Sequence, residues 1–309
     1  MALEDNLTPI EVKSEIPPEE IFHGDEIATI GLAHGINDMF FAFIPTIQPL
    51  LMEKLSLSNA QAGLFSLFLQ GPSLLQPLIG HLADRRNLRL LIVLAPTISA
   101  IALSLVGYAP SFGFLAILMT IAGFSTAGFH AIAPVLAASR SGKKIGRGMG
   151  TFMVFGEMFY GLGPLIAVAV VGAFSIYGLP WLIILGLLSS IVLYIRFRDL
   201  STEQAQSLQQ KGNTRQALKG MLVIMLPILT HIFVTSFLYA NILNFLPTFL
   251  TGEGASFQFA GAAFSIIEIS GTVGVFLYSR LSDRIGQRVI ILMTTLVMPV
   301  FALLFLQVE

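Results

Sequence analysis

Three carboxylates fall inside long apolar segments, where an acid needs a special environment. Asp38, Glu157 and Glu268 each lie well within such a segment. An ionised carboxylate at the centre of a bilayer is costly, so such side chains face a cavity and usually serve a transport pathway. Burial also favours the protonated carboxyl, which suits proton transfer. The alternative for each acid is a structural hydrogen bond to a neighbouring helix.

Asp38 has polar neighbours at helical spacing. His34 precedes it by four residues and Asn37 by one, so the three side chains lie close together on one helix surface. A His–Asp pair at this spacing can share a proton and respond to pH. The alternative is a structural cluster in the protein interior whose polar groups all have hydrogen-bond partners. His130 and His231 are each the single histidine of their segment. Single histidines of this kind more often pack helices together than carry protons.

A short cationic cassette occurs twice, each time at the end of an apolar segment. It reads GHLADRRNLR from Gly80 to Arg89 and SRLSDRIGQR from Ser279 to Arg288. The separation of the two copies is far too long for a solenoid repeat and fits the two halves of a membrane transporter. A second pair of matching motifs, IPT at 44–46 and LPT at 246–248, supports the same division.

The composition predicts an all-α membrane protein. Hydrophobic residues make up 55% of the 309 residues and charged residues only 11%, whereas a soluble domain carries about 25% charge. A helix of about 20 apolar residues crosses a bilayer, and nine segments qualify. They are 27–52, 60–82, 90–108, 112–138, 148–172, 178–196, 217–250, 256–279 and 288–307.

The distribution of positive charge predicts the orientation. Of the 17 Lys and Arg residues, 15 lie in alternate connections. By the positive-inside rule these connections and the N-terminus are cytoplasmic, and the protein is integral to the plasma (inner) membrane. The basic residues are Arg85, Arg86, Arg89, Arg140, Lys143, Lys144, Arg147, Arg196, Arg198, Lys211, Arg215, Lys219, Arg280, Arg284 and Arg288.

We predict four regions along the chain. Residues 1–26 form a disordered acidic tail, 27–198 a six-helix half, 199–216 a polar cytoplasmic linker and 217–309 three helices of a second half. Pro227 and Pro247 should kink the seventh segment without dividing it into two helices. Because the second half has only three helices, we expect the chain to be truncated.

The cassette resembles the signature loop of the major facilitator superfamily, whose fold is two six-helix halves around a cavity. Three segments resemble the fosmidomycin-resistance branch of its drug exporters: LAHGINDMFFAFIPTIQPLL, AGFSTAGFHAIAP, which contains His130, and FGEMFYGLGP. The resemblance implies nine of twelve helices here and a cytoplasmic latch in which Asp283 docks near 147–150. The alternative to a latch is that each cassette is a solvent-exposed loop whose charges orient the protein in the membrane. The implied gate residues are Gly80, Asp84, Arg85, Arg89, Asp283, Arg284 and Arg288.

Gly161, Gly163 and Pro164 resemble a motif that such exporters have in the fifth helix. Small residues allow close helix approach, and proline allows bending, so we expect a helix-bending motif that favours antiport. No Lys or Arg lies well inside a segment, and aromatic residues accompany the acids. A cavity of that kind suits neutral or cationic compounds and suits a phosphonate poorly. The aromatic residues are Phe40, Phe41, Phe155, Phe159 and Tyr160.

We therefore predict a secondary transporter that exports a small organic or drug-like molecule in exchange for protons by alternating access. The coupling and substrate residues would be Asp38, Glu157, Glu268, His34, Asn37 and His130. There are three alternatives. The protein could import a metabolite by proton symport, it could be a membrane-embedded enzyme that uses His34 and Asp38, or it could be an inactive truncated chain. The sequence contains no Walker A, HExxH or GxSxG motif and no cysteine, so we expect no cofactor, metal site or nucleic-acid partner. It does not indicate the oligomeric state.

Overall fold

The computed structural model describes residues 21–83, 89–198, 214–305 and 307. Two of the predicted gate residues, Asp84 and Arg85, lie outside this part of the chain. The backbones of Asp283 and Arg284 are described, but their side chains are not. The latch therefore stays a prediction.

Within these residues the chain forms ten α-helices and no strand. The helices are α1 Gly24–Leu55, α2 Asn59–Gln70, α3 Gln76–Ala83, α4 Arg89–Ser104, α5 Phe112–Ser139, α6 Ile145–Phe174, α7 Ile183–Arg196, α8 Thr214–Gly252, α9 Phe257–Ile285 and α10 Gln287–Phe305. Because α2 and α3 together occupy one predicted segment, the ten helices correspond to the nine predicted segments. The expectation of an all-α bundle is confirmed.

Short 3₁₀ turns join or extend several of these helices. The turn Gly71–Leu75 separates α2 from α3 and contains Pro72 at its start. Proline has no amide hydrogen and collides with the carbonyl four residues earlier, so the α-helical ladder stops here. The turn Leu105–Tyr108 extends α4, and the turn Ile176–Leu182 leads into α7.

Seven helical stretches are long and apolar enough to cross a membrane. They are Gly24–Leu55, Asn59–Ala83, Arg89–Tyr108, Phe112–Ser139, Ile145–Phe174, Ile176–Arg196 and Ile228–Gly252. Helix α10 includes a shorter apolar stretch, Arg288–Phe301. Helix α9 occupies the remaining predicted segment and continues into the second cassette.

Helix α1 begins at Gly24, inside the acidic tail predicted over residues 1–26. Asp25 and Glu26 form its first turn, where negative charge is favourable beside the unpaired amide groups. The Asp25 carboxylate accepts a hydrogen bond from Arg196 at 2.8 Å, and Glu26 pairs with Arg140 at 2.9 Å. These ion pairs join the start of α1 to the ends of α7 and α5.

Helix α8 begins at Thr214, so the last three residues of the predicted linker 199–216 are helical. The sequence after Thr214 contains Ala, Leu, Gln and Lys, which are good helix formers. The helix continues without interruption to Gly252 and includes Pro227 and Pro247. The seventh segment is therefore one helix, as predicted.

Helices α1 and α6 approach closely because small residues alternate with large ones along their interface. A Cβ atom on Gly35 would lie 2.6 Å from the carbonyl oxygen of Phe155 and 2.9 Å from Cβ of Phe159. In the other direction, a Cβ atom on Gly163 of α6 would lie 2.7 Å from the carbonyl oxygen of Met39. Reciprocal small residues of this kind let membrane helices pack backbone to backbone.

We call the end of the bundle that contains Arg140 the basic end and the end that contains Lys54 the Lys54 end. Helices α6 and α9 contact each other towards the Lys54 end. A Cβ atom on Gly161 would lie 3.0 Å from Ile269, and one on Gly261 would overlap Val168. Nearby, Gln48 donates a hydrogen bond to Thr248 at 2.9 Å, which joins α1 to α8.

Towards the basic end, α6 and α9 have open space beside their glycines. Four glycines have no described heavy atom within 4 Å of a Cβ atom. These residues are Gly146 and Gly150 on α6 and Gly271 and Gly274 on α9. The described contacts between α6 and α9 therefore lie towards the Lys54 end.

Candidate functional site

Two histidines from two helices meet at one carboxylate. His34 and Asp38 lie one turn apart on α1, and the His34 Nε2 atom is 3.0 Å from Oδ2 of Asp38. His130 of α5 approaches from the other side, with Nε2 at 3.1 Å from Oδ1. In the sequence His130 is a single histidine in its segment, but the fold places it next to Asp38. We call these three residues the proton cluster.

Asn37 connects the proton cluster to two further helices. Its Nδ2 atom lies 3.0 Å from Oδ1 of Asp38 and 2.6 Å from Oγ1 of Thr126 on α5. Ser99 of α4 donates to the Asn37 side-chain oxygen at 2.9 Å. Because Asn37, Ser99 and Thr126 are all buried, these bonds hold the amide in one orientation. The amide in turn supplies Asp38 with a third donor.

The His34 ring is held between two aromatic rings. Phe152 of α6 stacks on it at a centroid distance of 4.2 Å and an angle of 8°, and Phe129 of α5 lies at 6.0 Å. A Cβ atom on Gly156 would overlap the imidazole. The glycine is therefore the reason that the ring fits between α1 and α6.

Both nitrogens of His34 face oxygen atoms. Nδ1 lies 3.1 Å from the carbonyl oxygen of Phe152, and Nε2 faces the Asp38 carboxylate. A carbonyl oxygen can only accept, so both contacts are hydrogen bonds when the ring carries both protons. This geometry suits an imidazolium beside a carboxylate. When that proton leaves, His34 keeps one of these two hydrogen bonds and loses the other, so the arrangement of the cluster depends on its protonation.

Asp38 and His130 face two adjoining cavities of about 240 Å³ and 350 Å³. Gln70, Tyr160 and Asn244 also line both cavities. The walls include residues of both groups of helices, α1–α7 and α8–α10. The proton cluster can therefore exchange protons with the solvent or with a molecule in this space.

The other two predicted acids line the larger cavity. Glu157 on α6 is exposed to it, whereas Glu268 on α9 is only 3% exposed. The Tyr239 side chain lies close to Glu268 and lines the same cavity. The described residues that line the two cavities include no Lys or Arg. The sequence offered no reason to single out Tyr239, because its partner lies on another helix.

The aromatic residues predicted to accompany the acids have different positions. Phe41 and Tyr160 line a cavity. Phe40 is fully buried in the core, and Phe155 and Phe159 pack against the glycines of α1. Those three phenylalanines hold helices together and do not line either cavity.

The remaining predicted residues lie away from the proton cluster. Gly161 and Gly163 are packing positions towards α9 and α1, and Pro164 is buried within α6. Arg89 donates to the carbonyl oxygen of Arg198, and its guanidinium lies 5.2 Å from the Tyr194 ring centroid.

Gly80 has open space around it, and Arg288 is exposed. His34, Asp38 and His130 offer ligand atoms within 4.8 Å of one another, close enough to hold a metal ion. Hydrogen bonding already accounts for these contacts.

A family model described as Major Facilitator Superfamily matches residues 30–308. The chain is 26% identical to the fosmidomycin resistance protein of Escherichia coli (strain K12), over 86% of this chain and 66% of that protein. It is also 26% identical to the uncharacterized MFS-type transporter YfnC of Bacillus subtilis (strain 168), over 85% of this chain and 66% of that protein. The chain thus spans just under two thirds of the length of these relatives.

Solved structures with the same fold include a bacterial homologue of the human lysosomal transporter Spinster. Its inward-facing and occupied structure matches with a TM-score of 0.66 and 17% identity, over 86% of this chain and 63% of that one. Its inward-facing and unoccupied structure matches with a TM-score of 0.69 and 18% identity, over 85% and 63%. At this level of identity the likeness establishes the fold alone.

Proposed function

The chain belongs to the Major Facilitator Superfamily, a family of membrane transporters rather than of enzymes, and we propose that this member exports a small organic molecule in exchange for protons. The observation that carries the proposal is the proton cluster beside the cavities. One carboxylate with two imidazoles can take up or release a proton, and the net charge of the cluster changes by one unit when it does.

Exchange requires that proton binding and substrate binding influence each other. Asp38 and His130 line the cavities that a substrate would occupy. A proton arriving at the cluster changes its hydrogen bonds and charge, which weakens or strengthens substrate binding next to it. Binding of either partner then favours one conformation of the two halves.

The positive-inside rule places the basic end in the cytoplasm. In this proposal the cavity opens to the cytoplasm at the basic end, which is an inward-facing conformation. Closure of this end would bring Asp283 towards the start of α6, near 147–150. The two cassettes would then form the cytoplasmic gate through Gly80, Asp84, Arg85, Arg89, Asp283, Arg284 and Arg288. The membrane is the plasma (inner) membrane in this proposal.

Proton movement in vesicles tests the proposal. Purified protein is placed in liposomes that contain the pH dye pyranine, with valinomycin and potassium to hold the membrane potential at zero. Ethidium or fosmidomycin is then added outside without a pH gradient. Antiport predicts an alkaline lumen, because protons leave as the compound enters. Asp38→Asn should reduce the signal to that of empty liposomes.

The matched control is Glu53→Gln, which makes the same charge change on α1 at an exposed position. It should leave the signal unchanged. An acid lumen would establish symport and thus import as the function. Undiminished proton movement in Asp38→Asn would exclude the proton cluster as the coupling site.

A further inference from the structure

Two acids face the larger cavity from helices that belong to different halves. Glu157 projects from α6 and Glu268 from α9, and both line the space of about 350 Å³. They are close enough for the charge of Glu157 to act on Glu268. Two carboxylates that repel each other across a cavity are stabilised by any positive group between them.

The described residues around this cavity do not supply such a positive group. They include no Lys or Arg. The two histidines of the lining, His34 and His130, are already engaged with Asp38. Glu268 is only 3% exposed, and the neutral hydroxyl of Tyr239 is the donor nearby. A buried carboxylate with only a neutral donor is incompletely compensated, and it faces the space where a ligand enters.

Aromatic rings lie beside the same acids. Tyr160 follows Glu157 by three residues on α6, and Tyr239 of α8 contacts Glu268. Both tyrosines line the cavity. The faces of aromatic rings attract cations, most strongly where water is excluded. The volume is also within the range that binds small organic molecules.

We propose that the transported molecule is a small organic cation whose ammonium or similar group binds between Glu157 and Glu268, against the rings of Tyr160 and Tyr239. This inference rests on the proposed transport function and names its substrate class. A cation in this position contacts both halves and replaces the repulsion between the carboxylates with attraction. The site lies in the same cavity as the proton cluster, but substrate binding and proton binding involve different acids.

Binding to the purified full chain in detergent tests this site without any gradient. Ethidium is the probe, and its fluorescence anisotropy reports binding. Benzyltrimethylammonium, a smaller cation, should displace ethidium, whereas fosmidomycin should not. Glu157→Gln and Glu268→Gln should each weaken ethidium binding by about tenfold or more. Tyr239→Phe keeps the ring but removes the donor to Glu268, and it should weaken binding less than Glu268→Gln does.

Glu53→Gln is the matched control and should bind ethidium as the unsubstituted chain does. Size-exclusion chromatography identifies any variant that has not folded, and Tyr239→Phe provides a milder change at the same site. Ethidium binding that is unaffected by both glutamine substitutions would overturn the cation site. So would displacement of ethidium by fosmidomycin at the same concentrations as benzyltrimethylammonium. Either result leaves the proton movement measured in liposomes intact, so the two proposals fail separately.

Discussion

At the scale of single residues, the missing side chain of Gly156 sets the position of the His34 imidazole. The ring lies between Phe129 and Phe152, and its Nε2 atom reaches Asp38 at 3.0 Å. A methyl group at position 156 would overlap three atoms of the ring. Because the flanking aromatic rings leave the imidazole little freedom, it cannot move aside without losing its contact with Asp38.

We expect Gly156→Ala to reduce substrate-driven proton movement by about tenfold or more, since small displacements of reacting groups are costly. Overpacking should also lower the free energy of unfolding by about 1–3 kcal/mol. Pyranine fluorescence in liposomes measures the first effect. Differential scanning calorimetry in detergent measures the second.

Gly172→Ala is the matched control on the same helix. Gly172 has no described heavy atom within 4 Å of a Cβ atom, so alanine meets no obstacle there. The substitution should leave proton movement unchanged and stabilise the helix by about 0.5–1 kcal/mol. If Gly156→Ala behaved as Gly172→Ala does, the position of the His34 ring would not matter for coupling.

At the scale of helices, α6 and α9 contact each other towards the Lys54 end of the bundle. Gly261 on α9 packs against Val168, and Gly161 on α6 packs against Ile269. Ala42, Leu243 and Phe264 add a small buried cluster between the two groups of helices. The glycines predicted as a bending motif therefore act here as contact surfaces, because their small size permits the approach of neighbouring helices.

We expect Gly261→Leu to prevent closure at the Lys54 end. The chain has no cysteine, so Asn244→Cys provides a single label inside the cavity. A membrane-impermeable maleimide added to intact cells should label Asn244→Cys weakly, and Gly261→Leu should increase the labelling severalfold. The physical reason is that leucine cannot occupy the space beside Val168 without separating α9 from α6.

Gly271→Leu on the same helix is the control, because Gly271 has open space around it. Labelling in that variant should match that of Asn244→Cys alone. Equal labelling in the Gly261 and Gly271 variants would show that the α6–α9 contact does not close the cavity.

At the scale of the whole molecule, the distribution of positive charge predicts the orientation in the membrane. Glu253 lies in the connection after α8, and Lys144 lies immediately before α6. In intact cells, the impermeable maleimide should label Glu253→Cys and spare Lys144→Cys. Permeabilised cells should show labelling of both. The reverse pattern in intact cells would place the N-terminus outside and would turn the inward-facing conformation into an outward-facing one.

The order of residues was sufficient for the fold class, and seven of the nine predicted segments form helical stretches long and apolar enough to cross a membrane. Apolar runs of bilayer length can form only helices in lipid, because each backbone group must find its partner locally. The division into two related halves, which the repeated cassette indicates, stays a prediction. Pro72 shows the limit of this reasoning, since the segment 60–82 forms α2 and α3 with a 3₁₀ turn between them.

The polar site was only partly visible in the sequence. His34, Asn37 and Asp38 are neighbours on one helix, so helical spacing alone brings them together. His130 on Asp38, Thr126 and Ser99 on Asn37, and Tyr239 on Glu268 are contacts between helices. No periodicity within a segment encodes such contacts, because they depend on how far each helix is rotated and which neighbour it faces. Tertiary packing brings His130 to the polar surface of α1 and so forms a cluster of three titratable groups beside a cavity. Glycine at position 156 leaves room for the His34 imidazole in that cluster.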